Sequence, residues 1–226
     1  MLLKSTQQFL KELHRIGAVK VDTEHGFKLA LHDKNPTAPL SPIYVSLRTP
    51  KNPKPGPLLP EHVMTIATEM ERVVEKAHWK FDCVAGIPRA GVPFAESFAQ
   101  VRAQLKRTIK VVRLRKNSRG SRSISVENDY VVREQTEQRS RVLLVDDLIT
   151  KADTKWRAID ALRRGGYEVA GVVVYLDREQ GGFKALSESG IPIVAVLKFG
   201  EMLDFYHSSE LISDKEMSAI KRYLRW

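Results

Sequence analysis

The sequence predicts an α/β fold: a mostly parallel sheet with helices on both faces, joined to a small N-terminal lobe and carrying a mobile basic loop or hairpin. Three observations predict it. Short apolar strand patterns alternate with amphipathic helical patterns over residues 61–199. The segment RVLLVDDLIT, residues 141–150, is a β-branched apolar run that ends in two adjacent acids, Asp146 and Asp147, just ahead of a helical pattern. The segment AGIPRAGVP, residues 85–93, joins a strand to a helix through a turn rich in Gly and Pro. In an open α/β sheet, ligands bind outside the carboxyl ends of the strands, where both segments arrive.

Each element follows from its spacing. Leu2, Leu3, Phe9, Leu10, Leu13 and Ile16 recur at helical intervals among Lys4, Gln7, Gln8, Lys11 and Arg15, so the chain opens on an amphipathic helix, with Ser5 and Gln8 placed for a capping box. Residues 43–47 read as a short strand. Eight of the eleven prolines lie between Pro36 and Pro60, so this strand sits in irregular chain. A helix is predicted over 61–79, with Val63, Ile66, Ala67, Met70, Val73, Val74 and Ala77 on one face. A strand over 81–85, a helix over 92–105 and a strand over 109–114 come next. A polar stretch then leads to a hairpin strand at 130–132. The acid-bearing strand is followed by a helix over 154–164 and a Gly165-Gly166 stop. Strands over 168–176 and 191–197 and helices over 200–207 and 213–224 complete the chain. The whole chain, 1–226, reads as one domain, with a helix and lobe over 1–48, a core over 61–199 and closing helices over 200–226.

Composition narrows the classes of function. A net charge of +10 and a pI near 9.7 give a surface that attracts anions: phosphorylated metabolites, nucleic acid or acidic membrane. The single cysteine, Cys83, excludes an internal disulfide and a cysteine zinc cluster, and its apolar surroundings predict a buried, inert thiol suited to a reducing cytosol. No apolar run is long enough to span a bilayer, and the N-terminus is not a signal peptide. The Gly-rich loop of nucleotide triphosphatases and the Gly-x-Gly-x-x-Gly turn are both absent. A phospho-receiver domain needs its acid pair near the start and more chain after it than remains here.

Four segments carry candidate chemistry. Asp146 and Asp147 at a strand's carboxyl end can hold sugar hydroxyls, and the turn that follows can offer N–H groups to a phosphate; acids at this place also serve as caps for the next helix. Gly86 and Gly91 permit close backbone approach to a ligand, and Arg89 sets a positive charge at the tip of their turn. Nine Lys or Arg and no acid lie between Arg102 and Arg122. That stretch is open to three readings: a solvated loop, a nucleic-acid contact, or a mobile loop that closes over a pyrophosphate. It holds no aromatic residue, which argues against stacking on single strands. Asp177 and Arg178 end another buried strand, and Arg178 can pair with a planar carboxylate or form a structural salt bridge.

Together these features resemble the orotate phosphoribosyltransferases, of the type I phosphoribosyltransferase family. SPIYVSLR (41–48), GIPRAGVP (86–93), VRLRK (112–116), LLVDDLIT (143–150) and LDREQG (176–181) occur in the order and rough spacing of that family, over nearly the whole chain. The resemblance implies transfer of a phosphoribosyl group from 5-phosphoribosyl 1-pyrophosphate to orotate in the cytoplasm, with Mg²⁺ held mainly through substrate oxygens. It implies that Asp146 and Asp147 hold the ribose hydroxyls, and that Thr150, Lys151, Ala152, Asp153 and Thr154 form the 5′-phosphate loop. Pro88, Arg89, Ala90 and Gly91 would line the pyrophosphate. Arg115, Lys116 and Arg119 would belong to a catalytic loop that reaches into the partner subunit of a homodimer. Arg178 and Thr150 would bind orotate, with Tyr44 and Val45 covering its ring. It argues against nucleic acid as a partner and implies no membrane.

The chain departs from that pattern in three places. Its phosphate loop has Ala152 in place of a glycine, and Asp153 where a negative charge faces a phosphate. Two unit charges near 4 Å repel by about 4 kcal/mol at an effective dielectric of 20. Asp153 is therefore expected to point away and accept N–H bonds from the start of the helix, leaving Lys151 to face the phosphate. Ala30 stands where the family has a lysine, with Lys28 nearby. The catalytic loop has Ser121 near the place of a histidine and Arg119 for a second lysine. These changes keep two rivals open: a phosphoribosyltransferase for another base, and a catalytically weak regulator that binds nucleotide or RNA.

Overall fold

The computed structural model describes residues 2–33, 35–116, 130–132 and 140–225. In chain order the elements are α1 (Lys4–Arg15), β1 (Val19–Val21), a 3₁₀ turn (Ala30–Asp33), β2 (Ile43–Val45), α2 (Pro60–Lys76), β3 (Cys83–Gly86), α3 (Gly91–Gln104), β4 (Lys110–Val112), β5 (Leu114–Lys116), β6 (Tyr130–Val132), β7 (Arg141–Ile149), α4 (Asp153–Arg164), β8 (Glu168–Asp177), α5 (Gly182–Glu188), β9 (Ile193–Lys198), α6 (Phe199–Ser208) and α7 (Asp214–Leu224). They group into two compact units: Met1–Leu58 with Phe199–Trp226, and Leu59–Lys198.

The second unit is built on a five-stranded sheet in the order β4-β3-β7-β8-β9, with every neighbouring pair parallel. Its strands are continuous apolar runs because both faces are covered. Cys83, Ala85, Val142, Leu144, Val172 and Val174 form one face, packed with Ala158, Ile159 and Leu162 of α4 and Leu186 of α5. Successive side chains of a strand point to opposite faces. Val84, Leu143, Val145 and Val173, all fully buried, therefore belong to the other face, where α2 and α3 bring Ile66, Met70, Phe94 and Phe98. Of the α2 stripe read from sequence, Val63, Ile66, Ala67, Met70 and Val74 are buried, while Val73 is half-buried and Ala77 falls just past the helix end; the Leu59 N–H at the helix start donates to His62 Nδ1 (3.0 Å).

The first unit has its own core. β1 and β2 pair antiparallel, with Lys20 opposite Tyr44. α1 packs on α6, where the buried Tyr206 hydroxyl donates to the Leu10 carbonyl (2.9 Å). α7 begins with a capping box: the Ser213 N–H donates to Glu216 Oε2 (2.8 Å) and the Glu216 N–H to Ser213 Oγ (3.3 Å).

Several boundaries differ from the sequence reading. The capping box expected at Ser5 and Gln8 does not form; the helix starts at Lys4, so Ser5 lies inside it and Leu3 precedes it without a side-chain cap. The strand predicted over 109–114 is two, separated at Arg113, and the second pairs antiparallel with β6 as the expected hairpin. β1 and α5 were not read: one is a three-residue strand and the other a seven-residue helix, both short for periodicity to register.

Cys83 lies in β3 with 4% exposure, and burial pushes its thiol up to about 11. The folded protein at pH 8 should therefore resist iodoacetamide and react with it once unfolded in urea, as read by mass spectrometry.

Candidate active site

The sheet order reverses between β3 and β7, since the chain after β3 moves to one edge and the chain after β7 to the other. At such a switch point the connections diverge and leave a crevice outside the carboxyl ends of the strands. β3 stops at Gly86, opposite Val145 of β7. Asp146 is the next residue of β7, so the acid pair emerges where the neighbouring strand has ended.

Both acids are buried, Asp146 at 5% and Asp147 at 9% exposure. Asp146 Oδ1 accepts the Asp147 N–H (3.0 Å), and Asp147 Oδ1 accepts the Leu148 N–H (2.8 Å). The Lys155 ammonium donates to Asp146 Oδ2 (2.7 Å) and to the Leu148 carbonyl (2.6 Å). Burial, and then the charge of Asp146, hold the Asp147 carboxyl well above the ordinary carboxylate range, against the pull of Lys155.

Three turns border the pair. The Gly86-to-Gly91 turn folds directly onto the end of β7, with the Ile87 N–H on the Val145 carbonyl (3.0 Å). A Cβ on Gly91 would lie 2.5 Å from the Val145 carbonyl oxygen and 2.9 Å from Asp146 Oδ1. Only glycine fits there. The Pro88–Arg89 peptide is cis, Pro88 and Ala90 are half-buried, and Arg89 is exposed at the tip. In the second turn Thr150 is half-buried, Lys151, Asp153 and Thr154 are exposed, and Ala152 is buried under the core. The third turn follows β8 and is hydrogen-bonded to the second: the Arg178 N–H donates to the Ile149 carbonyl (2.8 Å), and the Gly182 N–H to the Thr150 carbonyl (2.9 Å). Asp177 Oδ1 accepts the Glu179 N–H (2.8 Å). Burial raises the Asp177 carboxyl, with that N–H opposing it. Arg178 is 5% exposed.

The second unit thus brings together Pro88 to Gly91, Asp146, Asp147, the 150–154 turn and Arg178. Tyr44 and Val45 lie in β2 of the first unit, where the Tyr44 ring stacks at a tilt 5.7 Å from Phe27 and Val45 is buried opposite Val19. Lys28 is exposed in the same unit. Arg115 is exposed on β5, Lys116 ends that strand, and Arg119 lies outside the described residues, as does the loop expected to be mobile around it.

Asp153 corrects one expectation. It is the first residue of α4, exposed, and not a cap; Ala152 holds the N-cap position and no side chain caps the helix. The dipole there still favours an acid. The residue that sequence reasoning missed is Lys155. The signal was present, since Lys155 falls on the buried stripe of α4 with Ala158, Ile159 and Leu162, and a lysine on such a stripe calls for a buried partner.

An oxygen-rich edge of this kind suits Mg²⁺, which keeps several waters and is commonly held by one or two carboxylates with substrate phosphates. Among the described residues, no group of three His, Cys, Asp or Glu could hold a metal ion by itself. Also among them, no helix is long and apolar enough to cross a membrane.

A parallel sheet with paired acids at its switch point, a glycine turn on one side and an uncapped helix start on the other has the chemistry to accommodate a sugar phosphate. Residues 59–187 match the family described as phosphoribosyl transferase domain, more than half of the chain. The orotate phosphoribosyltransferase of Sulfurisphaera tokodaii is 30% identical over 82% of this chain and 85% of its own length. That of Pyrobaculum aerophilum is 32% identical over 86% and 88%. The fold is shared with the UMP synthase of Leishmania donovani, with a TM-score of 0.75 and 24% identity over 98% of this chain and 42% of that one. The chain belongs to the orotate phosphoribosyltransferase family.

The packing of Gly91 against the acid pair generates a test. Gly91→Ala should displace Asp146 and weaken binding of a phosphoribosyl ligand by tenfold or more in calorimetry. It should also lower stability by about 1–3 kcal/mol in urea unfolding, as overpacking does.

Proposed function

We propose that this protein transfers the phosphoribosyl group of 5-phosphoribosyl 1-pyrophosphate to orotate, giving orotidine 5′-phosphate and pyrophosphate for pyrimidine nucleotide synthesis. The observation that carries this reading is the buried acid pair at the switch point, between a glycine turn and the start of α4. It works in the reducing cytosol that a single buried thiol suits.

Asp146 and Asp147 accept the ribose hydroxyls. The 5′-phosphate lies over the 150–154 turn, where the first N–H groups of α4 have no side-chain cap and the dipole favours an anion. Lys151, exposed in that turn, supplies a cation, and Asp153 faces solvent. Pro88, Arg89, Ala90 and Gly91 border the pyrophosphate. Arg178, with Thr150, receives the orotate carboxylate and ring edge. In the reaction the bond from the anomeric carbon to the pyrophosphate oxygen breaks, and a bond to the orotate ring nitrogen forms. Positive charge develops on the ribose and negative charge on the leaving pyrophosphate, where Arg89 and the Arg115, Lys116 and Arg119 segment stabilise it. Magnesium would be held mainly through donor oxygens, with Asp146 and Asp147 nearby, and would supply further charge neutralisation to the pyrophosphate.

The assay is pyrophosphate release from the donor with orotate, uracil or adenine as acceptor. Only orotate should support turnover, and Arg178→Ala should raise the KM for orotate about tenfold or more, as loss of roughly 1.5–3 kcal/mol of charge-assisted hydrogen bonding predicts. Equal changes in the KM for orotate and for the donor would count against the assignment of Arg178. Turnover with adenine or uracil instead would assign another base.

The basic segment acts in a homodimer, reaching the partner's site. Mixed dimers of inactive Lys116→Ala and inactive Asp147→Asn subunits should then regain activity, since one composite site is intact. Subunit exchange verified by mass spectrometry with no recovery would refute action across the interface.

A further inference from the structure

Two carboxylates adjacent in one strand and both buried repel each other, and a protein interior does not tolerate their charge unbalanced. The balancing charge here comes from the chain itself. Lys155 is 4% exposed, and its stem lies along the apolar stripe of α4. Its ammonium is bonded to Asp146 Oδ2 (2.7 Å) and to the carbonyl of Leu148, the residue after the acid pair (2.6 Å). The bond to Asp146 does not consume that carboxylate, because an ionised carboxylate has about four acceptor positions. Asp146 also takes the Asp147 N–H, and Asp147 takes that of Leu148, so acceptor positions remain on both side chains.

We propose that Lys155 is a counter-cation supplied by the protein to the acid pair, fixing Asp146 as an acceptor for ribose hydroxyls without help from a divalent ion. The inference rests on the phosphoribosyl reading of the site. Lys155 is a positioning residue: it acts on the sugar through Asp146. The ammonium offsets the charge of Asp146 and removes its freedom to rotate. Without Lys155, mutual repulsion would turn the carboxylates apart or neutralise one of them, and either change removes an acceptor from the ribose.

The probe is ribose 5-phosphate, which carries the hydroxyls and the 5′-phosphate but no pyrophosphate to chelate a metal. By calorimetry the unaltered protein should bind it with the same Kd, within about twofold, in EDTA and in excess Mg²⁺. Lys155→Met should weaken that binding by about tenfold (about 1.4 kcal/mol). Lys155→Gln keeps a donor for Asp146 but no charge, and should weaken it similarly while staying folded. In turnover both variants should raise the KM for the donor without raising that for orotate, a split that general destabilisation would not produce. Should Lys155→Met unfold, Lys155→Gln and the EDTA comparison carry the test. Equal or tighter binding by a folded variant overturns the proposal, and so does binding of ribose 5-phosphate that requires Mg²⁺. Failure of the unaltered protein to bind either ribose 5-phosphate or the donor overturns the phosphoribosyl reading itself.

Discussion

The buried ion pair between Lys155 and Asp146 is the interaction on which the site depends. A strand that ends in two carboxylates has to place them near a ligand yet within the fold, and repulsion between them opposes that arrangement. Removing one partner of a buried pair typically costs about 3–5 kcal/mol, because the other charge is left uncompensated. The pair also ties β7 to α4, the two elements that flank the 150–154 turn. That contact therefore orients Asp146 relative to the start of α4. Gly91 meets the pair from the opposite side, so Asp146 is held between a helix that supplies charge and a turn that leaves no spare volume.

The layout of the sheet was legible because its strands are covered on both faces. Continuous runs such as VLLV in β7 and VVVYL in β8 carry that signature, and the helices between them carry a helical period. The acid pair, the glycine turn and Arg178 were legible for a related reason: each stands where an apolar run gives way to residues that an interior would reject. Short elements were not legible. β1 is three residues long, and its partner β2 lies more than twenty residues away, so only pairing reveals it. The split at Arg113 depends on the chain leaving β4 to pair with β6, a tertiary event.

Lys155 shows a different limit. Read as one residue among the 37 Lys and Arg of the chain, it looks like part of a basic surface. Its place on the stripe of α4, nine residues after Asp146, carries the information, and only the turn between them brings the two within 2.7 Å. Asp153 erred in the other direction. Its type and position suggested a cap, but the helix begins one residue earlier than read, which moves Asp153 into the first turn and hands the cap position to Ala152. Boundary shifts of one residue are ordinary at helix ends, and here one such shift changes a residue's role.

The hydrogen bonds from the turn after β8 have a consequence for how this protein can change over generations. The Arg178 and Gly182 N–H groups hold the Ile149 and Thr150 carbonyls, and Gly182 sits where a Cβ would lie 2.5 Å from the Thr150 oxygen. The 150–154 turn is therefore shaped by its neighbour's main chain more than by its own side chains. A lineage can exchange the exposed residues at 151 and 153 and keep the contour, while Gly182, which touches no ligand in this scheme, is barred from exchange. Variation and constancy along such a chain would then track which backbone leans on which, and a sequence that looks eroded at its most familiar motif can still have kept the part that does the shaping.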